Sequence, residues 1–274
     1  MDWNCRRSQS KPSTDVIGKR LKPPSPPGKR AGAPNDNTVE STIRIFGRFA
    51  VRWGVRPGEI VTTLGFVPTD FDVFRIEGNA RIEKLYAQVR PKLIRLGHEL
   101  APQLMRKLGL EFFPHIANHT GRTVQPPRET WIAFGPSPRG YKRHGYLALC
   151  ISRAGLHARA VVKSEAGFRP EISRGLDAHR AQLAKDFDGT RIARYESWDC
   201  KRLPSPVAAE PEIFKALAAT LNQKTGSVDL GFGWNVPDAL RLDRAEMIEA
   251  FRELEPLYRI FAQIRETSAP DESR

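Results

Sequence analysis

Residues 129–162 read ETWIAFGPSPRGYKRHGYLALCISRAGLHARAVV. This stretch contains three strand candidates rich in apolar and β-branched residues, at Glu129 to Phe134, Tyr146 to Ile151 and His157 to Val162. The Gly/Pro-rich residues 135–140 predict a loop between the first two. Strands that follow one another directly, with connections of unequal length, are typical of an antiparallel sheet in an α+β domain.

Helical patterns flank this stretch on both sides. Upstream, residues 82–108 carry one apolar stripe at spacings of three and four, and Pro91 and Pro102 predict that this helix has two or three pieces or kinks. Downstream, Asp243 and Glu246 have the spacing of a capping box before a final amphipathic helix. Further helices are predicted over residues 171–186 and 209–222 and from Pro114, and further strands over residues 71–76, 190–195 and 228–233. The sequence therefore predicts an α+β fold in which a mainly antiparallel sheet packs against amphipathic helices.

The composition divides the chain into four segments. Residues 1–40 are rich in Pro, Ser, Gly, Lys and Arg, which predicts a disordered basic leader. Residues 41–63 have two interpretations: a real strand or hairpin, or translated intergenic DNA upstream of a start at Val61. Residues 64–265 are predicted to form a single globular domain, followed by a disordered tail over residues 266–274.

Several classes of protein are excluded by composition. The formal charge is +13, of which roughly half lies in residues 1–60, so the domain itself is modestly basic. No apolar run approaches the length of about 18 residues that a transmembrane helix needs, so we expect no membrane partner. Cys5, Cys150 and Cys200 form neither a disulfide framework nor a Cys-x-x-Cys zinc site. We therefore expect a cytoplasmic protein, and the absence of a nucleotide-binding glycine motif predicts no cofactor.

A family resemblance rests on residues 111–145. They contain an apolar residue before Pro-His, a second His after three residues, and then Arg-Thr-Val, Pro-Pro, Thr-Trp and Arg-Gly-Tyr-Lys. In this segment the chain resembles the YktB-like family of uncharacterised bacterial proteins, and residues 70–78, 91–93 and 254–258 also match. The resemblance covers about residues 65–262 and implies a compact α+β fold, without an activity that carries over.

His115 and His119 form the first candidate site. On a helix that begins at Pro114, their i, i+4 spacing would place both imidazoles on one face, a spacing that can hold zinc. No glutamate lies between them and no third ligand is evident, so metal, general-base and structural roles all stay open. Asp70 and Asp72 would point to the same side of a strand and could serve acid–base chemistry. The alternative is that one aspartate caps a turn and the other faces water.

Basic and aromatic residues form the second candidate site. The predicted ligand-binding residues are Arg122, Thr123, Arg128, Trp131, Arg139, Tyr141 and Lys142. Guanidinium groups bind phosphate through paired hydrogen bonds, and aromatic faces stack on bases. The alternative is that Trp131 belongs to the core and that Arg128 pairs with Glu129 or with water.

Two functions are compatible with these residues. The first is a binding module for a phosphate-bearing ligand, either a nucleotide or a nucleic acid. The second is a small hydrolase or transferase in which His115 or His119 acts as general base or metal ligand, assisted by Asp70 or Asp72. We prefer the first, because basic and aromatic residues outnumber the plausible catalytic groups.

Overall fold

The structure, a computed structural model, describes residues 63–119 and 125–263 of the 274-residue chain. The predicted leader over residues 1–40 lies outside these ranges, as do residues 41–62 and the predicted tail over residues 266–274. The strand and helix candidates that flank the central stretch fall almost entirely within the described ranges.

A six-stranded sheet forms the centre of the structure. Its strands are β1 (Phe113–Ile116), β2 (Glu129–Gly135), β3 (Tyr146–Ser152), β4 (Gly155–Val162), β5 (Ala193–Arg194) and β6 (Val228–Asn235). They lie in the order β1-β2-β3-β4-β6-β5, and every neighbouring pair is antiparallel. The predicted α+β fold with an antiparallel sheet is therefore confirmed.

Helices precede, interrupt and follow the strands. They are α1 (Pro68–Asp72), α2 (Gly78–Lys84), α3 (Arg90–Leu108), α4 (Arg169–Ala178), α5 (Arg180–Asp186), α6 (Pro211–Leu221), α7 (Val236–Ala239), α8 (Arg244–Glu253) and α9 (Glu255–Phe261). A 3₁₀ turn, Val73–Arg75, follows α1, and a π-helical turn, Leu85–Val89, joins α2 to α3. Across the described ranges, none of these helices combines the length and the apolar character needed to cross a membrane.

One face of the sheet packs against the helices and builds the main core. Ile132, Leu149 and Ala158 are fully buried there, in one cluster with Leu96 of α3 and Phe251 of α8. The register pairs Ile132 with Leu149 and Leu149 with Ala158, and paired residues of neighbouring strands point to the same side of the sheet. Burial of one Leu or Phe side chain contributes about 1.5–3 kcal/mol, and this core therefore holds the two layers together.

The opposite face of the sheet is lined by smaller and more polar residues. Its buried cluster consists of Ala133, Tyr146, Ala148, Cys150 and Val161. Arg159 and Asp229 lie on the same face, because the register pairs Arg159 with Ala148 and Asp229 with Val161. Buried polar groups need hydrogen-bond partners. This face, rather than the helix-packed one, therefore carries the polar chemistry of the sheet.

Residues 71–76 do not form the strand that their composition predicts. They belong to α1 and to the 3₁₀ turn that follows it. The Asp70 carboxylate accepts a hydrogen bond from the Val67 backbone N–H at 2.7 Å, and Pro68 occupies the first helical position. Both features favour the start of a helix. The prediction that Asp70 and Asp72 share one side of a strand is wrong for the same reason.

The short helix predicted from Pro114 is also wrong, because Pro114 lies within β1. This strand is at the edge of the sheet and, within the described ranges, pairs with β2 alone. Proline has no N–H to donate to a neighbouring strand, and an edge strand tolerates that loss. His115 and His119 therefore do not lie on one face of a helix.

The two prolines in the long helical region have different effects. The π-helical turn ends directly before α3, whose second residue is Pro91, so the predicted interruption there is confirmed. Pro102 lies inside α3 without ending it, so of the two predicted effects at this position only a kink stays open. Both Pro102 and His98, whose carbonyl loses its helical donor, are exposed, so water can hydrogen-bond to that carbonyl.

The capping box predicted near the C-terminus is confirmed. Asp243 Oδ1 accepts a hydrogen bond from the Glu246 N–H at 2.7 Å, and Glu246 Oε2 accepts one from the Asp243 N–H at 3.0 Å. The apolar face beyond it continues through α8 and α9, which meet at Leu254 and Glu255. The single final helix is thus two helices, since Pro256 lies in the first turn of the second.

Candidate functional site

The structure gives the two candidate histidines separate surroundings. His115 lies in β1, where its Nε2 donates to the Ser137 carbonyl oxygen at 2.8 Å. His119 is buried, and its Nε2 lies 3.0 Å from the Thr130 hydroxyl oxygen. Both imidazoles therefore have neutral hydrogen-bonding neighbours, and their catalytic role stays a prediction. In the described part of the chain, no group of three or more His, Cys, Asp and Glu side chains could hold a metal ion.

The two candidate aspartates differ in environment. Asp70 is fully buried and accepts hydrogen bonds from Gln88 Nε2 at 3.0 Å and from Lys92 Nζ at 2.6 Å. It thereby fastens α1 to the helical segment that contains Gln88 and Lys92. Asp72 is exposed and pairs with Arg75 at 3.0 Å. Asp70 thus contacts the start of a helix and Asp72 lies at the surface, and an acid–base role for either stays a prediction.

Trp131 and Tyr141 are brought together on the polar face of the sheet. Trp131 Nε1 donates to the Tyr141 hydroxyl at 3.2 Å, and the Tyr141 ring meets the His115 ring at 5.4 Å. Burial raises the pKa of Tyr141, and the hydrogen bond from Trp131 partly opposes this. The His119 ring meets Trp131 edge-on at 5.8 Å. These contacts join the candidate histidines and aromatic residues along β1 and β2.

The predicted basic cluster is divided between the two ends of β2. Arg128 precedes the strand, whereas Arg139 and Lys142 lie exposed in the loop between β2 and β3. A seven-residue strand spans about 20 Å, so the backbone of Arg128 and that of the loop lie at opposite ends of β2. The candidates Arg122 and Thr123 lie outside the described residues.

Arg128 and Trp131 line a cleft with a volume of 590 Å³. Its other lining residues are Glu77, Gly78, Arg81, Gln125, Pro126, Pro127, Glu129 and Cys200. Arg81 of α2 donates to the backbone carbonyls of Ile76 at 2.6 Å and Pro127 at 3.1 Å. These hydrogen bonds link α2 to the segment before β2. The cleft has the volume of a small-molecule site, for which about 300–1,000 Å³ is usual.

The charged groups at this cleft are mixed in sign. Glu77 and Arg128 are exposed, whereas Glu129 is half-buried. Partial burial lowers the pKa of Arg81, and the nearby Glu77 carboxylate opposes that change. Within the described ranges, Arg128 makes no hydrogen bond or ion pair. Its guanidinium group is therefore available to a ligand, unlike that of Arg81.

Arg159, next to the cleft, forms a buried ion cluster that the sequence analysis missed. Its side chain is 2% exposed, and its Nη1 donates to Asp229 Oδ2 at 3.0 Å. Its Nη2 donates to Glu129 Oε2, and Lys163 Nζ lies 3.6 Å from Asp229 Oδ2. Burial alone would lower the pKa of Arg159, but the two carboxylates raise it well above its ordinary value. Glu129 therefore belongs both to the cleft and to this cluster.

Aromatic rings and a buried histidine surround the ion cluster. The Arg159 guanidinium carbon lies 4.9 Å from the centre of the Tyr195 ring and 6.0 Å from that of Trp198. His157 is fully buried, with its ring 4.7 Å from Trp198 and its Nε2 3.0 Å from Ser152 Oγ. Burial lowers the pKa of His157 well below its ordinary value, and the Arg159 charge adds to the effect. The imidazole is therefore neutral at pH 7.

Two free cysteines lie near the cluster, Cys150 in β3 and Cys200 in the wall of the cleft. Burial raises the pKa of the Cys150 thiol above its ordinary range and raises that of Cys200 to about 12. A thiolate, rather than a thiol, is the nucleophilic form of cysteine. Neither cysteine is therefore activated for nucleophilic chemistry at neutral pH.

Comparison with known proteins identifies the family. The family described as "Domain of unknown function (DUF1054)" matches residues 66–258. The chain belongs to the DUF1054 family. A UPF0637 protein of Bacillus velezensis is 30% identical over 218 residues, which cover 74% of this chain and 100% of that relative. A UPF0637 protein of Lysinibacillus sphaericus is 31% identical over 199 residues, or 70% and 92% of the two chains, and one of Staphylococcus aureus is 43% identical over 83 residues, or 30% and 41%.

Membership of the DUF1054 family confirms the resemblance inferred from the sequence to the YktB-like bacterial proteins. Residues 111–145, on which that resemblance rested, supply Trp131, Tyr141 and the residues at both ends of β2. The matched range also contains Arg159 and Asp229, which the resemblance did not single out.

The ion cluster of this DUF1054 chain left a signal in its sequence. Strand β4 reads GLHARAVV and is buried throughout, so Arg159 is a charged residue in a strand with no exposed position. A buried charge requires a partner of opposite sign. Asp229 is an equally isolated acid within VDLGFGWN, the sequence of β6. Pairing the two required only the assumption that these strands are neighbours in the sheet.

Proposed function

We propose that this DUF1054 protein is a binding module for a phosphate-bearing ligand of the nucleotide class, held in the cleft beside β2. The observation that supports this proposal is the arrangement of Arg128 and Trp131 in a cleft of 590 Å³. Arg128 makes no ion pair in the described part of the chain, and Trp131 is half-buried. The guanidinium group of Arg128 can bind the phosphate of a nucleotide, and the indole ring of Trp131 can contact its base.

The chemistry of the other lining groups agrees with such a ligand. A guanidinium group forms paired hydrogen bonds with phosphate oxygens, and an indole offers a face on which a base can stack. The carboxylate of Glu77 is an acceptor for the amino group of a base or the hydroxyl groups of a ribose. A purely anionic ligand such as inorganic phosphate would not use this carboxylate.

A single nucleotide suits the cleft better than a nucleic acid strand. A strand-binding groove needs basic groups along its length. Here the exposed basic residues Arg139 and Lys142 lie at the far end of β2 from Arg128. Binding of oligonucleotides in preference to mononucleotides would therefore contradict the proposal.

The alternative of a hydrolase or transferase has less support. Its general base would be His115 or His119, whose Nε2 atoms lie against the Ser137 carbonyl and the Thr130 hydroxyl. Its assisting carboxylate would be Asp70 or Asp72, which bind Lys92 and Arg75. This alternative stays a prediction drawn from the sequence.

We also place the protein in the cytoplasm. Cys150 and Cys200 are both free thiols in the structure. Thiols stay reduced in that compartment, whereas exported proteins commonly carry disulfides.

Isothermal titration of the purified chain with AMP and with adenosine tests the nucleotide proposal. We expect AMP to bind more tightly than adenosine and to lose affinity as salt rises, because an ion pair with phosphate is screened. The variant R128Q should weaken AMP binding about tenfold or more, the equivalent of one charge-assisted hydrogen bond. R139Q is the matched control and should leave AMP binding unchanged. Equal affinities for AMP and adenosine, or equal effects of the two variants, would refute the proposal.

A further inference from the structure

We propose that Glu129 is a displaceable carboxylate, which occupies on Arg159 the place that the phosphate group of the ligand takes. This inference rests on the proposed function, since it names the group that anchors the ligand at the floor of the cleft. Arg128 at the surface would attract the phosphate, and Arg159 would then hold it.

Glu129 lies between two spaces. It lines the 590 Å³ cleft, and with Trp131 it also lines a smaller cavity of 20 Å³. The smaller cavity is formed further by Arg159, Asp229, Lys163, Tyr146, Ala148, Cys150 and Val161. Because Glu129 and Trp131 line both spaces, movement of the Glu129 side chain would open Arg159 to the cleft.

The two carboxylates on Arg159 are held unequally. Asp229, the second residue of β6, has a side chain that is 4% exposed and also faces Lys163 at 3.6 Å. The Glu129 side chain is 24% exposed and belongs to the first residue of β2. A side chain with one face on a cleft can rotate away at lower cost than one that is almost fully buried. Glu129 is therefore the partner that a ligand can replace.

Arg159 retains donor capacity beyond its two ion pairs. Its Nε is buried and has no hydrogen-bond partner among the described residues, whereas guanidinium groups carry donors on each of their nitrogens. A buried donor without a partner is costly, and a phosphate group with several acceptor oxygens could satisfy more of these donors than one carboxylate. The aromatic rings of Tyr195 and Trp198 hold the guanidinium in place for this exchange.

The exchange keeps an anion beside Arg159. The phosphate group replaces one anion with another beside Arg159, so the buried cation stays compensated. The released Glu129 carboxylate stays in the cleft, which Arg81 and Arg128 also line. Neither end of the exchange leaves a buried charge without a partner.

The test compares E129Q with E77Q in titrations with AMP and adenosine. Both variants remove one carboxylate from the same cleft, but Glu77 makes no ion pair with Arg159 in the described structure. The exchange predicts that E129Q binds AMP about tenfold more tightly than the wild type, because the competing anion is gone. E77Q should change AMP affinity by less than about threefold. Adenosine, which has no phosphate, should bind both variants as it binds the wild type.

Inorganic phosphate is a second probe that does not depend on stacking against Trp131. Tighter phosphate binding to E129Q than to E77Q would support the exchange even if AMP failed to bind and the nucleotide proposal fell. If AMP binds the wild type and R128Q weakens it, but E129Q and E77Q have equal effects, the exchange is wrong and the nucleotide proposal stands. Weaker AMP and phosphate binding by E129Q would also overturn the exchange, since it would make Glu129 a direct ligand contact.

Discussion

Replacement of Arg159 by methionine removes a buried cation while keeping a side chain of similar length. The variant leaves the Asp229 carboxylate 4% exposed, without the guanidinium that lies 3.0 Å from it in the wild type. A buried charge that loses its partner keeps its desolvation cost without the compensating attraction. We therefore expect R159M to be folded less stably than the wild type.

The size of the loss follows from the groups that remain. Removal of one partner from a buried ion pair costs about 3–5 kcal/mol. Lys163 still lies 3.6 Å from Asp229, and the half-buried Glu129 can turn towards water, so part of the loss is recovered. The expected decrease in the free energy of unfolding is therefore at the lower end of that range, about 3 kcal/mol.

Urea unfolding followed by far-ultraviolet circular dichroism measures this loss without relying on the fluorescence of Trp198, whose ring centre lies 6.0 Å from the Arg159 guanidinium carbon. With a slope of about 2 kcal/mol per molar urea, the midpoint should fall by about 1.5 M. The control is R174M, which breaks the exposed pair between Arg174 and Glu171. That pair contributes at most about 1 kcal/mol.

A double variant separates the ion pair from the packing of the methionine. In R159M/D229N the Asp229 carboxylate is removed together with the Arg159 guanidinium. The decrease in the free energy of unfolding of this double variant should therefore be smaller than the sum of the decreases in R159M and D229N. A coupling of about 1–3 kcal/mol is expected for groups in direct contact. The reasoning is refuted if R159M costs no more than R174M, or if the two single losses add without coupling.

Three further predictions concern protonation, reactivity and capping. The depressed pKa of His157 means that the unfolded chain binds a proton that the folded chain excludes. The contribution of neutral His157 to the free energy of unfolding should therefore be complete above about pH 6.5, and below that pH the free energy should fall by up to about 1.4 kcal/mol per pH unit. Unfolding curves at several pH values should show a smaller decline in H157Q than in the wild type. Equal declines in the two proteins would contradict this role of His157. Cys150 and Cys200 should resist alkylation at pH 8 in the folded protein and should react in urea, as measured by peptide mass spectrometry. Rapid alkylation of either thiol in the folded protein would contradict the burial that raises their pKa. D243A removes the acceptor of the Glu246 N–H and should lower the free energy of unfolding by about 1 kcal/mol, whereas D243S should restore most of it.

Much of the fold was predictable because its longest elements have clear periodicity. Runs of apolar and β-branched residues predict the buried strands β2, β3, β4 and β6. The spacing of Asp243 and Glu246 predicts the capping box. The errors lie in short elements, where a few residues satisfy two patterns equally well. Residues 71–76 have a β-rich composition, but the hydrogen bond from Val67 to Asp70 commits the segment to a helix. Pro114 suits the first turn of a helix and an edge strand alike, and only the pairing with β2 decides between them.

The candidate site was predictable only where its residues are close in sequence. Trp131 and Tyr141 meet because a β-hairpin folds the chain back on itself, which the loop at residues 135–140 indicated. Glu129, Arg159 and Asp229 are brought together by sheet register, a long-range property that a single sequence does not display. Glu129 shows the same limit: its neighbour in sequence, Arg128, is one candidate partner, but its ion pair is with Arg159 on another strand.

The order of the strands also has a consequence for synthesis of the chain. Arg159 and its partner Asp229 are separated by 70 residues, because β6 joins β4 only after three helices and β5 have been made. At translation rates of about 5–20 residues per second, the carboxylate emerges roughly 4–14 s after the guanidinium. During that interval the hairpins of β1 to β4 can form with Glu129, but not yet Asp229, beside Arg159. A nascent chain that ends before Asp229 therefore lacks the more deeply buried of the two carboxylates, and the polar face of its sheet is completed only after β6 has been made.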